Sequence, residues 1–311
     1  MGFIGQLPGA VAQGLIWGIM AIGVYLSYRI LSIADLTVDG SLCTGGAVCV
    51  MMIIGGAPLP LAMLVAFIAG LLAGLLTGFF HTFCGIMAIL AGILTQLILW
   101  SVNLQIMGKA NQSINVNNYN LLVSLRYLQE TNSGVLPFYW SPIFVVGIFV
   151  AVIIAVLYWF FGTEIGAAIR ATGANENMAR AQGINTNRNK VLGLMLSNGL
   201  VALSGALLAQ YQGFADINMG RGAIIIGLAS IIIGEILFSK IFNSFALRLL
   251  GVAIGAIIYY VVIQFILWTG LVDPNNLKMF SALVVALFLS VPFWRNKYFA
   301  SRANRKEAKN A

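Results

Sequence analysis

Few residues in the sequence have the types and spacing that chemistry needs, and those few lie beside long apolar stretches. We interpret Asp39 as the N-cap of a helix, Asp35 as a contact to a loop or partner, and Glu235 as an ion pair with Lys240. The single histidine, His81, has no neighbouring ligands with which to hold a metal. No paired carboxylates, histidine cluster or nucleophile with a base remain, so we predict neither an enzyme nor a metal site.

Small and polar residues inside the apolar stretches are the other candidates. Polar groups are expensive within a membrane, and short interrupted apolar segments in corresponding halves of a chain point to a translocation path. Each polar residue could equally hydrogen-bond between helices, a contact worth about 0.6–2 kcal/mol. The predicted path residues are Asp39, Gly45, Gly46, Gln96, Asn198, Gly227, Ser230 and Gln264.

The composition decides the class of protein that holds these residues. Of the 311 residues, 60% are hydrophobic and only 8% are charged, and the mean hydropathy is +0.94. A soluble domain carries about 25% charged residues, so soluble and disordered chains are excluded. The charge of +8 lies between and after apolar spans, which argues against nucleic acid. Three cysteines lack metal-site spacing and are interpreted as buried free thiols.

The apolar stretches predict an all-α, polytopic transmembrane bundle of about nine spans. The second and seventh spans are short and rich in small residues, so one or two helices should be short or interrupted. No Lys or Arg precedes the first span, which is therefore expected to be retained rather than cleaved. The predicted spans are 9–28, 41–56, 59–80, 85–107, 142–162, 191–212, 222–238, 246–269 and 277–294.

Lysines and arginines predict the orientation, because they concentrate in cytoplasmic loops. A cytoplasmic C-terminus with alternating spans leaves only Lys109, Arg126, Arg221 and Lys278 outside. The chain then divides into a transmembrane domain, 1–294, and a basic cytoplasmic tail, 295–311. If the short second span is re-entrant, the N-terminus moves inside. The predicted inside residues are Arg29, Arg170, Arg180, Arg188, Lys190, Lys240, Arg248, Arg295, Lys297, Arg302, Arg305, Lys306 and Lys309.

One cytoplasmic loop, 163–190, is patterned like two short helices. Thr163 can cap a first helix over 165–171, which Gly173 should break. Asn175 is the expected N-cap of a second helix, 176–182, and Gly183 the glycine just beyond its last turn. The second helix should present Met178, Ala179 and Gln182 to a cleft on another protein.

The loop motif Gly166-x-x-x-Arg-Ala-x-Gly-x-Asn-x-x-x-Ala-x-x-x-Gly-Ile resembles that of ATP-binding-cassette importer permeases. The similarity covers about 9–294 and is greatest to the branched-chain amino acid, ribose and simple-sugar group, near single-permease systems proposed for aromatic amino acids. It implies a coupling helix that docks on an ATPase subunit. The coupling residues would be Ala174, Asn175, Glu176, Asn177, Met178, Ala179, Arg180, Gln182 and Gly183.

The resemblance also implies the partners: an ATPase dimer, a second copy of the permease, and an extracytoplasmic binding protein that would dock near Asp216 and Arg221. The chain has no phosphate-binding loop, so ATP and Mg²⁺ would sit on the ATPase. The expected location is the bacterial cytoplasmic membrane. An amino acid is the favoured solute, while sugars and nucleosides stay open. The alternative, an ion-coupled secondary transporter, usually has ionisable groups at mid-membrane. Apart from Asp39 and Glu235, both near predicted span ends, we expect none in this chain.

Overall fold

A computed structural model describes residues 3–116, 118–119, 121–132, 140–238, 244–269, 279–287 and 290. A five-residue π-helical segment, Leu26–Ile30, continues the first helix, and 279–287 is also helical. The helices are α1 (Phe3–Tyr25), α2 (Val38–Ile54), α3 (Leu59–Thr82), α4 (Ala88–Met107), α5 (Leu125–Asn132), α6 (Pro142–Gly162), α7 (Glu164–Ala174), α8 (Glu176–Ala181), α9 (Thr186–Gln212), α10 (Ala223–Phe238) and α11 (Phe245–Trp268).

The bundle has two distinguishable ends. At one end, strands β1 (Asn111–Ser113) and β2 (Phe214–Asp216) form an antiparallel ribbon that ties the end of α4 to the end of α9. We call this the ribbon end. The short helices α7 and α8 lie at the other end, which we call the α8 end. The predicted all-α bundle is confirmed, with this small ribbon as its only strand pair among the described residues.

Helices α1 and α9 form the centre of the bundle. Their most apolar stretches are 83% and 72% buried, whereas those of α4 and α6 are only 28% and 22% buried. The outer faces of α4 and α6 are therefore apolar surfaces that need a lipid environment. Glycines let the central helices approach closely: Gly23 packs on Ser197 and Val201, and Gly70 packs on α9 from α3.

Six described helices are long and apolar enough to cross a membrane, and two shorter apolar helices, α2 and α10, accompany them. This finding supports a multi-pass membrane protein and agrees with the predicted short second and seventh spans. The ninth predicted span, 277–294, is described only in part, over 279–287 and 290, and the basic tail, 295–311, lies outside the described residues. The count of nine spans stays a prediction.

The short helices α2 and α10 both begin inside the bundle. Ser41 in the first turn of α2 donates to Asn198, near the middle of α9. Residues 31–37 reach that depth from the α8 end without helical structure. In the other direction, the chain leaves β2 and returns inward, so that Gly220 packs against the backbone of Asp39. Each short helix is therefore the second half of a discontinuous crossing.

Candidate functional site

Both short helices at the α8 end begin at side-chain caps. Thr163 Oγ1 accepts the amide of Gly166 at 3.4 Å, and Asn175 Oδ1 accepts that of Met178 at 3.0 Å. The two predicted caps are thus confirmed. The predicted break at Gly173 is wrong, because α7 continues through it to Ala174. Gly173 instead allows a close approach of α7 to the backbone of Ile30, where a Cβ atom would not fit.

The end of α8 is closed by a glycine, as predicted. Gly183 has a φ of +79°, a left-handed conformation that suits glycine. Its amide donates to Arg180 O at 2.9 Å, and the amide of Ile184 donates to Ala179 O at 3.1 Å. This pair of bonds is a Schellman motif, which stops the helix and satisfies its last carbonyl groups.

Glu176 ties α8 to the first turn of α9. Its carboxylate lies 2.7 Å from Arg180 Nη2 on α8 and 2.7 Å from Lys190 Nζ on α9, and Thr186 Oγ1 donates to it at 3.3 Å. The hydrogen bond from Lys190 is the main cause that lowers the pKa of Glu176 below its ordinary value, with the charges of Lys190 and Arg180 adding to it. The carboxylate therefore stays ionised and holds the two helices together at neutral pH.

The exposed surface of α8 differs in part from the predicted one. Met178 is 63% exposed, and Asn177 and Gln182 are exposed beside it. Ala179 was predicted to face a partner, but it is only 2% exposed and packs inward. The surface available to another protein is therefore the side of α8 centred on Met178, together with exposed Ala174.

In the middle of the bundle, Asp39 joins the two short helices. Its carboxylate accepts the amide of Gly222 at 2.9 Å and that of Ile224 at 3.1 Å. These amides open α10, so the prediction that Asp39 caps α2 is wrong: Thr37 holds the N-cap position of α2, and Asp39 lies within its first turn. A carboxylate at a helix N-terminus also complements the helix dipole, so Asp39 fixes the start of α10 to α2.

Asp35 lies at the same depth and is only 2% exposed. Its carboxylate accepts the amide of Thr37 at 2.9 Å and the Asn198 Nδ2 group at 2.6 Å. Asn198 in turn accepts from Ser41 Oγ at 2.6 Å and donates to Leu194 O. Asp35 was expected to contact the 163–190 loop or a partner, and this is wrong, because the side chain is buried against Thr37 and Asn198. No lysine or arginine among the described residues forms an ion pair with it.

A short chain of hydroxyl groups continues from this junction. Thr37 Oγ1 lies 2.6 Å from Thr77 Oγ1 on α3, which lies 3.0 Å from Thr95 Oγ1 on α4. Farther along the same buried side of α4, Asn103 is fully buried, and neither polar atom of its amide has a partner among the described residues. An unpaired buried amide is costly, so Asn103 is an additional candidate for contact with water or solute. Sequence inspection missed it, because one asparagine in an apolar helix has no spacing signal.

The other predicted path residues are mostly packing contacts. Gly45 meets the backbone of Ala202, Gly46 lies against Met219, and Gly227 lies against Val24. Two polar members form hydrogen bonds: Gln264 Nε2 donates to Gln6 of α1 at 2.8 Å, and Ser230 Oγ donates to Ile226 O in its own helix. The backbone of Gln96 packs on Gly40. Asp39 and Asn198 are therefore the predicted path residues that bond to the two short helices, Asp39 to the start of α10 and Asn198 to Ser41 of α2.

At the ribbon end, Asp216 is held within its own turn. It accepts the amide of Asn218 at 2.7 Å and lies 3.3 Å from Asn111 Nδ2 across the ribbon. Arg221 is exposed. The assignment of Asp216 and Arg221 to a docking site stays a prediction.

Glu235 pairs with Arg29 at 2.8 Å, while the predicted partner Lys240 lies outside the described residues. Cys43 and Cys49 are buried free thiols, but Cys84 is exposed.

Six helices that could cross a membrane, together with two short helices that meet inside the bundle, are typical of a membrane transport protein. Residues 7–292 match the family described as "Branched-chain amino acid transport system / permease component". The chain belongs to this family of transport permeases, and neither the family nor the described residues indicate catalytic activity.

Relatives with stated names agree with this family. The chain is 38% identical to the tyrosine transport system permease protein of Clostridioides difficile (strain R20291), over 90% of this chain and 89% of that protein. It is 29% identical to the ribose import permease protein RbsC of Escherichia coli (strain K12), over 38% of this chain and 35% of that protein. The solved structure of PsaBC from Streptococcus pneumoniae is 19% identical, with a TM-score of 0.41, and covers 90% of this chain and 95% of that one.

Proposed function

We propose that this chain is the membrane-spanning subunit of an ATP-binding-cassette importer that moves an amino acid, and specifically an aromatic one. The amino acid is inferred from the similarity over most of both chains to a tyrosine transport permease. An ATPase dimer docked at the α8 end would hydrolyse ATP, and a binding protein docked at the ribbon end would deliver the solute. Two copies of this chain would serve the two ATPase subunits.

The observation that carries the proposal is the construction of α8. A six-residue helix has too few internal hydrogen bonds to be stable alone. Here Asn175 closes its start, Gly183 closes its end, and Glu176 bonds it to Lys190 of the central helix. Such a short helix that is fixed at both ends and exposes Met178 is suited to carry force from a docked protein into the bundle.

We propose in addition that the solute path passes the junction of α2 and α10. Broken helices that meet near mid-membrane provide backbone groups that can exchange partners when the two halves move. Asp39 accepts the first amides of α10 in this conformation, and Ser41, two residues further along α2, donates to Asn198 of α9. The alternation between outward-open and inward-open states would separate or shift these contacts.

Docking of the ATPase is tested with a matched pair of substitutions. Met178→Glu puts a charge on the exposed surface of α8, and Leu125→Glu makes the same chemical change at the ribbon end, where Leu125 is 46% exposed. We expect Met178→Glu to reduce co-purification of the ATPase subunit at least tenfold, and Leu125→Glu to leave it unchanged. Equal retention of the ATPase by both variants would contradict the assignment of α8 as the docking helix.

The side of the membrane is tested separately by labelling. In a Cys84→Ser background, Met178→Cys should react with a membrane-impermeant maleimide only when the reagent reaches the cytoplasmic face. Labelling of intact cells or spheroplasts from outside would contradict both the orientation and the coupling role. The buried Cys43 and Cys49 provide the background level of reaction.

A second candidate, an ion-coupled transporter, gains support from one observation. Sequence inspection expected no ionisable group at mid-membrane, but Asp35 is buried deep in the bundle beside the start of α2. Reconstitution distinguishes the two functions. Uptake of tyrosine by this chain alone under a proton or sodium gradient would establish the second. Uptake that requires ATP, the ATPase and the binding protein would establish the first.

A further inference from the structure

A charged cleft opens at the α8 end, away from the exposed side of α8. It has a volume of about 710 Å³ and lies where the π segment, α7, α10 and α11 converge. Three arginines from three of these elements line it: Arg29, Arg170 and Arg248. Glu235 and Tyr25 complete its polar wall. Neither the coupling surface nor the half-helix junction uses this cleft.

The cleft carries a surplus of positive charge. Arg29 is neutralised by Glu235, with 2.8 Å between Nε and Oε1. Arg170 and Arg248 have no carboxylate partner among the described residues, since no other ion pair there includes them. Arg248 also lies in the first turn of α11, whose N-terminal amides add a positive partial charge. An anion placed between these groups would be attracted from three directions.

A second cleft of about 470 Å³ adjoins the first and shares Arg170 and Phe245 with it. Its wall is aromatic, with Tyr158, Trp159 and Phe161 from the end of α6. Trp159 is 71% exposed, and Trp and Tyr side chains concentrate at the boundary between lipid tails and headgroups. The joined clefts thus pair an anion-binding part with an amphipathic part at the depth of that boundary.

We propose that the joined clefts bind the headgroup of an anionic phospholipid. The phosphate diester would lie between Arg170 and Arg248, because the guanidinium fork matches phosphate oxygens. The glycerol and the first acyl carbons would lie along Tyr158 and Trp159. Basic pockets between transmembrane helices bind such headgroups in other membrane proteins. A free phosphate ion would use the arginines but would leave the aromatic slot without a role.

The test measures lipid binding to the purified, delipidated permease. Phosphatidylglycerol and phosphatidylcholine are added in turn, and bound lipid is measured by native mass spectrometry. We expect tight, saturable binding of phosphatidylglycerol only. The double variant Arg170→Gln/Arg248→Gln should bind it at least tenfold more weakly. Arg188→Gln removes an exposed arginine at the same end outside both clefts and should bind like the unmodified chain. Equal binding by the double variant, or equal binding of phosphatidylcholine, would overturn the proposal.

Two further arms distinguish other sources of the anion. Inorganic phosphate or tyrosine at millimolar concentration should not displace the lipid. Displacement by phosphate would identify a small-anion site instead, and displacement by tyrosine a solute site; either would overturn the proposal. Addition of the ATPase subunit should also leave the lipid bound, and its release would identify the clefts as a protein interface. Size-exclusion profiles confirm that each variant is folded. The double variant Arg170→Lys/Arg248→Lys, which keeps the charge, should recover part of the binding.

Discussion

The carboxylate of Asp39 accepts the amide of Ile224 at 3.1 Å, although 185 positions separate the two residues. A second amide, that of Gly222, binds the same carboxylate at 2.9 Å. The start of one half-helix is therefore capped by a side chain from the start of the other. Neither α2 nor α10 can move away from the junction without exposing polar groups inside the bundle.

Substitution at Asp39 should separate its capping role from its charge. Asp39→Ala removes the acceptor for both amides and should lower stability by about 0.5–2 kcal/mol, as loss of an N-cap does. Asp39→Asn keeps an oxygen that can cap and should cost much less. The measurement is the apparent unfolding temperature in detergent. An equal loss in the two variants would assign the effect to the charge, and an unchanged temperature for Asp39→Ala would show that the contact does not stabilise α10.

The pair Asp35 and Asn198 should behave as one unit. Asn198→Leu leaves Asp35 Oδ2 and the hydroxyl of Ser41 without a partner, although Asp35 Oδ1 still accepts the amide of Thr37, and should cost about 1–3 kcal/mol for each unpaired atom. The exchange Asp35→Asn/Asn198→Asp places one acid and one amide in the same two positions.

This exchange should therefore recover much of the stability that Asn198→Asp alone loses. A double-mutant cycle on unfolding temperature measures the coupling between the two sites. Additive effects would contradict the direct hydrogen bond.

The stability that Glu176 contributes should depend on pH. Its pKa lies below the ordinary value of 4.5 because Lys190 hydrogen-bonds the carboxylate. The contribution is therefore fully present above that ordinary value and is lost as the pH falls through the lowered pKa. Exposed ion pairs contribute at most about 1 kcal/mol each, so the effect is small.

The measurement compares the unfolding temperature of the unmodified chain with that of Glu176→Gln at each pH. The difference in unfolding temperature should be present from pH 8 to pH 5 and should vanish below the lowered pKa. Arg126, which pairs with Glu130 in α5, offers a control: Glu130→Gln should not change the behaviour of the α8 end. A difference that persists at the lowest pH would show that Glu176 acts by packing and not by charge.

Close packing of α2 on α9 should tolerate no added methyl group. Gly205 of α9 faces the carbonyl oxygen of Leu42 so closely that a Cβ atom would overlap it. Gly205→Ala should therefore cost about 1–3 kcal/mol through displaced backbone. Gly147 on α6 has open space around it, so Gly147→Ala should be neutral or stabilising by up to about 1 kcal/mol. Equal unfolding temperatures would contradict the observed helix contact.

The sequence predicted what depends on local chemistry. Apolar stretches located the long helices to within a few residues at most ends, and the caps at Thr163, Asn175 and Gly183 were predicted because each bond spans only a few positions. The role of Gly173 was misjudged, because this glycine allows α7 to approach the backbone of Ile30, which is distant in sequence. A glycine that permits close packing and one that ends a helix look alike in one sequence.

The half-helix junction could not be predicted, because its contacts cross the whole chain. Asp39 was expected to cap the helix in which it lies, which is the local choice, but the amides of α10 come within reach only after folding. Asp35 was placed near a surface because it follows a span end by few residues. The irregular segment 31–37 places Asp35 inside the bundle, and the periodicity of apolar residues does not predict the path of a non-helical segment.

The bond between Glu176 and Lys190 has a mechanical consequence. Lys190 belongs to α9, which runs through the centre of the bundle and contacts α1, α2 and α3. A force applied at Met178 would be transmitted to α9 through this ion pair, because the pair connects α8 directly to the central helix. The same helix holds Asn198 halfway along its length, and Asn198 hydrogen-bonds to buried Asp35, so a small tilt of α9 at one end would move a direct partner of that acid.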